Sequence, residues 1–313
     1  MKYLVTGGAG FIGSHIVEVL LKRKHFVRVL DNFSSGKMEN ISFAKGNKNF
    51  ELIRGDIRNF SDCKKAAKGI DFVLHQAALR SVPKSMEDPH SYNEVNIDGT
   101  LNMLYASKEA KVKRFVLASS SSIYGETKKF PEKESDLPLL ISPYALSKLA
   151  GEYYCRIFSL NFGLETVSLR YFNVFGPRQA VDDEYAVVIP KFITCILNNE
   201  SPPIFGTGKQ SRDFTFVRNV VEANLLAAKA GKKAVGEVFN VACGKDVRVI
   251  DLVKILNKIT GKNIKPAFLP PRPGDVFKTL ADTRKVRKIL GFKGKYTFEQ
   301  GLKITVDYFK NKK

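Results

Sequence analysis

Tryptophan is absent from this 313-residue chain, and cysteine, methionine and histidine occur only four times each. Cys63, Cys155, Cys195 and Cys243 stand far apart, with no Cys-x-x-Cys pair and no Cys/His cluster at ligand spacing. That excludes a disulfide framework and gives no reason to expect a metal. Four free thiols suit a reducing cytosol. No run of about 18 apolar residues exists, so nothing should span a bilayer. The N-terminus also lacks a basic region followed by an apolar stretch, and the expected location is cytoplasmic. There is no internal repeat and no low-complexity tract. Acidic residues are the scarcer charge: 31 Asp+Glu against 51 Lys+Arg, a net +20. The basic residues are scattered, and the densest stretches, 45–48 and 310–313, are short. Scattered lysines read as a solvated surface, so a nucleic-acid partner is not expected. An anionic small substrate stays compatible with the charge.

What is present is an ordinary globular composition, 44% hydrophobic and 26% charged. It rules out a disordered, collagen-like or coiled-coil chain. The length suggests about two domains, or one large α/β domain with an appendage. Such a chain buries enough surface to need no covalent or metal staples.

The first half alternates two kinds of segment. Residues 3–5, 26–30, 50–53, 72–74 and 115–118 are apolar runs without polar alternation. Between them, Ile16, Val17, Leu20 and Leu21 recur at helical spacing, as do Ile97, Leu101, Leu104 and Tyr105. Apolar strands separated by helices predict a parallel sheet covered on both faces, the doubly wound α/β pattern. A long helix from Tyr144 to about Asn161 and a strand over 165–169 continue it. Beyond Gly176-Pro177, prolines and glycines break the chain into shorter pieces, with helices expected near 217–230, 249–260 and 297–309. The expected division is a dinucleotide-binding sheet over 1–175, to which later chain returns, and a smaller lobe mainly over 176–313. The lobe should cover the C-terminal ends of the strands.

Gly7, Gly10 and Gly13 give G-x-x-G-x-x-G directly after a strand and at the start of a helix. Glycines allow a tight turn and close approach to a pyrophosphate, and the helix N-terminus offers free N–H groups and a positive dipole end. Asp31 closes the second strand at about the 20-residue distance where an acid would bind an adenosine ribose. A carboxylate repels a 2′-phosphate, and the next residue is Asn32 rather than Arg, so NAD is expected over NADP. Tyr144 and Lys148, four apart, share a helix face. Lys148 and a bound nicotinamide cation would lower the Tyr144 pKa and make it a base. A serine of the run Ser119–Ser122 would hydrogen-bond the reacting oxygen.

With these motifs on the page, the chain resembles the extended short-chain dehydrogenase/reductase family, in particular its NAD-dependent nucleotide-sugar epimerases. The matching stretches run along essentially the whole sequence. They include residues 6–13, 31–36, 55–57, 75–78, 96–100, 119–125, 144–148, 170–173, 211–214 and 272–275. The resemblance implies a catalytic set of Ser120, Tyr144 and Lys148. It implies that Phe11 and Ile12 join the three glycines at the pyrophosphate. Asp31, Asn32, Ser35 and Gly36 would hold the adenosine ribose, and Asp56 with Ile57 the adenine. Gln76, Ala77 and Ala78 would line the cofactor's path, with Asn96, Ser119 and Tyr171 near its far end. On the substrate side it implies Ser81, Ser120, Ser121 and Ser122 around the sugar. Asn173, Arg212 and Arg272 would meet the diphosphate, Asp275 the uridine ribose, and Ile204 and Phe205 the uracil. Val188, Phe192 and Thr279 would complete the site. A homodimer through two helices per subunit, near 91–110 and 142–162, follows from the same resemblance.

The related 4,6-dehydratases and decarboxylases carry an acid just after the serine. Here that segment is Ser119-Ser-Ser-Ser-Ile-Tyr124. Without a second acid/base, the expected chemistry is reversible oxidation at one carbon, a UDP-sugar 4-epimerase. Thr279 is small where the resembling epimerases use a bulky residue to exclude a 2-acetamido group, which implies UDP-GlcNAc/UDP-GalNAc, with UDP-Glc/UDP-Gal as a further pair. Arg80, near the nicotinamide end, leaves UDP-glucuronate 4-epimerisation as an alternative. A catalytically silent nucleotide- or RNA-binding member of the fold is the alternative of another class.

Overall fold

The computed structural model describes residues 1–181, 188–271 and 276–312. Arg272 and Asp275, expected at the diphosphate and uridine, lie outside the described residues. The apolar runs form strands β1 (Lys2–Thr6), β2 (Phe26–Asp31), β3 (Phe50–Arg54), β4 (Phe72–His75), β5 (Arg114–Ser120) and β6 (Thr166–Tyr171). With a last strand, Glu237–Val241, they make one seven-stranded sheet in the order Glu237–Val241, β6, β5, β4, β1, β2, β3. All its pairings are parallel. The fold is therefore the expected Rossmann-type doubly wound sheet.

Period-two alternation sends successive side chains to opposite faces. Tyr3 and Val5 of β1 join Ile16, Leu20, Val220 and Phe239 in one fully buried cluster. Leu4 joins Met103, Leu104, Phe115 and Phe158 on the other face. Each such side chain contributes roughly 1.5–3 kcal/mol on burial. A third cluster, with Phe175, Phe214, Phe216, Leu252 and Leu302, is the core of the second lobe. Phe214 stacks on Phe298 there with ring centroids 5.6 Å apart.

The winding reverses between β1 and β4, which are neighbours in the sheet. Their carboxyl ends part at that point and leave a crevice, the usual ligand position of such folds. One expected element differs. The helical period of Ile97, Leu101 and Leu104 is interrupted by a π-segment, Asn93–Asp98, before the α-helix Gly99–Glu109. The buried Asn96 side chain is engaged with Leu79 on another segment. The widened turn accommodates it, as such bulges commonly do beside functional sites.

Candidate active site

The glycine loop shows why only glycine serves. Gly7 has φ +65°, and a Cβ on it would lie 2.8 Å from the Ala77 nitrogen. A Cβ on Gly13 would lie 2.2 Å from the Gly7 carbonyl oxygen. Gly10 is the N-cap of the helix Phe11–Lys22 and supplies no capping side chain. The first N–H groups of that helix are thus left for a ligand, the arrangement that binds phosphate.

A cleft of about 750 Å³ runs from this loop across the carboxyl ends of the strands. Gly7, Gly10, Phe11, Ile12 and Gly13 line it at the loop. Asp31, Asn32, Ser35, Gly36, Asp56 and Ile57 line its β2–β3 end. Gln76, Ala77, Ala78, Ser119, Tyr144, Lys148 and Tyr171 line the β4–β6 end. Asp31 accepts hydrogen bonds from the Ala9 and Phe33 amides, both at 2.8 Å, and burial raises its pKa. Each oxygen keeps a second lone pair for a ribose hydroxyl. Asp56 is held down to about 2 by the Arg58 guanidinium, and it accepts from Asn32 at 2.9 Å. Tyr171 donates to Gln76 at 3.1 Å and accepts from Asn224 at 2.8 Å.

Asn96 is buried, accepts from the Leu79 amide at 2.8 Å, and donates to the Ser147 hydroxyl at 3.0 Å. It braces the segment before Arg80. The Ser81 amide donates to Tyr92 Oη at 3.0 Å, and the Ser81 hydroxyl caps the turn Val82–Glu87. Arg80 is held exposed between these two anchors, on the cleft wall.

Tyr144 sits in the first turn of the helix Pro143–Asn161. That helix starts where the Ser142 hydroxyl accepts from the Ala145 amide, with Pro143 in the first turn. The Lys148 ammonium lies 5.9 Å from the Tyr144 ring centroid and donates to the Ala118 carbonyl at 3.0 Å. Burial lowers the Lys148 pKa to about 8. Ser120 lies close enough to Tyr144 to favour its phenolate. The Ser120 oxygen accepts from the Ser122 amide at 3.1 Å and from its hydroxyl at 3.0 Å, leaving its own proton to donate. In the protein alone, burial raises the Tyr144 pKa, and Ser120 and the Arg80 charge pull the other way; the expected lowering counts on a bound nicotinamide cation as well as Lys148.

On the lobe side, Asn173 donates to the Thr279 hydroxyl at 2.9 Å, and the Asp213 amide donates to the same oxygen at 3.2 Å. Arg212, nearly buried, donates to the Ser211 and Phe277 carbonyls. Ser121 and Ser122 are half-buried in the turn after β5, Val188 begins the helix Val188–Leu197, and Phe205 is half-buried. Phe192 and Ile204 are 2% and 0% exposed and belong to the apolar cluster of Phe175, Phe214 and Phe216. Arg58, Arg178, Gln179 and, from the last helix, Tyr308 and Phe309 also line the cleft. No spacing in the sequence singled them out. Arg178 pairs with Glu18 on the glycine-loop helix.

A parallel sheet with a glycine loop, an acid at the end of β2 and a Tyr/Lys pair on one helix defines a short-chain dehydrogenase/reductase. Residues 3–242 match the model of the NAD dependent epimerase/dehydratase family, and the chain belongs to that family. It is 43% identical to a solved UDP-N-acetylglucosamine 4-epimerase from Methanobrevibacter ruminantium, in complex with UDP-N-acetylmuramic acid. That match covers 100% of this chain and 99% of the other, with a TM-score of 0.95. A UDP-glucuronic acid 4-epimerase from Bacillus cereus, in complex with UDP-glucuronic acid and NAD, is 36% identical. It covers 100% of both chains with a TM-score of 0.92. The UDP-glucose 4-epimerase of Mycolicibacterium smegmatis is 36% identical, over 100% of this chain and 99% of its own.

Proposed function

We propose that the protein is an NAD-dependent UDP-sugar 4-epimerase, with UDP-GlcNAc and UDP-GalNAc as its preferred pair and UDP-Glc/UDP-Gal as a further one. The observation that carries this is Tyr144 and Lys148, with Ser120 beside Tyr144, at the β4–β6 end of the cleft that the glycine loop also lines. The cleft fits NAD: a Cβ at Gly7 or Gly13 would close the loop, and an acid sits at the adenosine end. Bound NAD supplies the acceptor and later the donor of the C4 hydride.

The protein's own groups handle the proton. Tyr144 removes the proton from O4 and returns it once the sugar has presented its other face. The Ser120 hydroxyl hydrogen-bonds O4, and Lys148 with Arg80 offsets the phenolate charge. Asn173, Arg212 and, in the same role, Arg272 would hold the diphosphate. A guanidinium is the preferred fork for phosphate oxygens. The absence of an acid in 121–124 supports simple epimerisation over dehydration or decarboxylation. The small, buried Thr279 beside Asn173 supports an N-acetylated sugar. A second reading, UDP-glucuronate, is favoured by one observation: Arg80, exposed on the cleft wall, suits a C6 carboxylate.

The same reading includes a homodimer. Tyr105 on the helix Gly99–Glu109, and Leu146, Tyr153, Ile157 and Leu160 on the helix Pro143–Asn161, are large exposed apolar side chains. Two copies of this face would pair as four helices. A cytoplasmic location fits the four free cysteines and the absence, among the described residues, of a helix long and apolar enough to cross a membrane.

The test is incubation with UDP-GlcNAc, UDP-glucose and UDP-glucuronate, followed by chromatographic separation of the C4 epimers. Epimer formation without net NADH is expected. No epimer from any of the three, together with tight salt-sensitive RNA binding, overturns the reading.

A further inference from the structure

We propose that Glu152, paired with Arg170, is a positioning residue of the active site: through Ser119 it fixes the strand end that holds the partners of Tyr144 and Lys148. The proposal rests on the Tyr/Lys chemistry above. Tyr144, Lys148 and Glu152 follow one another at intervals of four, so they form one row on the helix. Three consecutive residues at the end of β5 meet that row. Ser120 lies beside Tyr144 and favours its phenolate. The Ala118 carbonyl accepts from Lys148 Nζ at 3.0 Å. Between them, Ser119 Oγ donates to Glu152 Oε1 at 2.5 Å. Strand and helix are thus tied by hydrogen bonds at two adjacent residues, with Ser120 beside Tyr144 at the next.

Glu152 is itself fixed from a second strand. Arg170 lies opposite Ser119 in the β5–β6 register. Its Nε donates to Glu152 Oε1 at 2.8 Å and its Nη2 to Oε2 at 2.7 Å. The two side chains are 5% and 4% exposed. The guanidinium carbon lies 4.8 Å from the Tyr124 ring centroid, and Tyr124 donates to Asn240 on the last strand at 2.7 Å. A buried ion pair seldom adds net stability, because desolvation offsets its attraction. What it adds here is direction. A bidentate arginine holds one carboxylate oxygen where the Ser119 hydroxyl must point. A shift of about 1 Å in such a support costs on the order of 100-fold in rate.

The groups around Tyr144 are Lys148 on its own helix, Arg80 after β4, Tyr92 on the neighbouring turn and Ser120 on β5. Glu152 acts on it only by placing Ser120. The Ser120 hydroxyl stabilises the phenolate, so displacing it raises the Tyr144 pKa.

The experiment uses NAD-loaded protein and Ser119→Ala, which removes the middle link without unpairing a charge. Two readouts are taken. One is kcat and KM with UDP-GlcNAc. The other is the phenolate absorbance of Tyr144 against pH, taken as a difference from Tyr144→Phe. Ser119→Ala should lower kcat about 10- to 100-fold with KM within about twofold. It should raise the Tyr144 midpoint by up to about one unit, with NAD retained. Ser119→Thr, which restores a hydroxyl, should recover both. Glu152→Gln should give the same signature, and if it does not fold, Ser119→Ala decides alone. A folded Ser119→Ala protein with unchanged midpoint and kcat within about twofold overturns the proposal. If the wild type turns over no UDP-sugar, the epimerase reading fails while the Tyr144 titration still decides the role of Glu152.

Discussion

Lys148 should cost the protein stability at neutral pH, and replacing it with methionine should return that stability as activity is lost. Its side chain is buried, and burial takes its pKa from 10.5 to about 8. At about 1.4 kcal/mol per unit, burying the charged form costs about 3 kcal/mol. Lys148→Met removes that cost but leaves the Ala118 carbonyl without its ammonium donor, a loss of about 1 kcal/mol. The net gain is about 2 kcal/mol, a rise of roughly 3–5 °C in Tm for a chain this long. The pH dependence has a definite sign. Below pH 8 the lysine is charged in both folded and unfolded chains, so the cost is fully present. From about 8 to 10.5 the folded chain binds fewer protons than the unfolded one, so wild-type stability rises with pH and the variant's advantage closes. The assay is urea unfolding of both proteins at pH 7 and pH 9.5, stripped of NAD so that cofactor binding does not enter. A variant no more stable than wild type at pH 7, or an advantage undiminished at pH 9.5, would refute the desolvation account of this residue.

Three other substitutions probe the rest of the site. Tyr144→Phe should abolish turnover and keep NAD bound, read as nucleotide released on denaturation; substantial activity removes the base assignment. Gly13→Ala places a Cβ 2.2 Å from the Gly7 carbonyl, so the protein should lose retained NAD and about 2 kcal/mol or more of stability; full NAD retention contradicts the loop's role. Thr279→Tyr should depress turnover of UDP-GlcNAc far more than that of UDP-glucose, and an unchanged ratio of the two removes the acetamido argument. For the dimer, Leu160→Asp on the exposed helix face should halve the mass seen by light scattering, and a wild-type monomer ends that reading at once.

The parts of the site legible in the sequence were those whose physics is local. A glycine loop needs only a turn and a helix terminus, both written within residues 7–13. Asp31 is at the end of its own strand, and Tyr144 with Lys148 needs only the helical repeat. Nothing local records that the Asn96 amide reaches Leu79 and Ser147 on other elements. The depth at which Phe192 and Ile204 are buried was not legible either, because a core and a pocket wall use the same apolar residues. Tyr308 and Phe309 reach the cleft from the chain's far end, a proximity that no spacing encodes. The raised Tyr144 pKa also eluded the sequence, since the depth of burial is a property of the packed whole.

The strand Glu237–Val241 carries a consequence for how the chain is made. It lies at the sheet's edge next to β6, yet most of the lobe's first half is threaded between the two along the chain. During synthesis the edge of β6 therefore stays open until residue 241 has emerged. By then the helix Val217–Lys229, whose Val220 packs in the sheet's own cluster, has already appeared with no finished sheet to rest against. An unpaired strand edge waiting that long is an invitation to wrong partners. Maturation of the nucleotide-binding half thus depends on sequence that belongs to neither its glycine loop nor its catalytic helix. Truncation before Glu237 should leave an aggregating fragment and not a small, self-sufficient dinucleotide-binding domain.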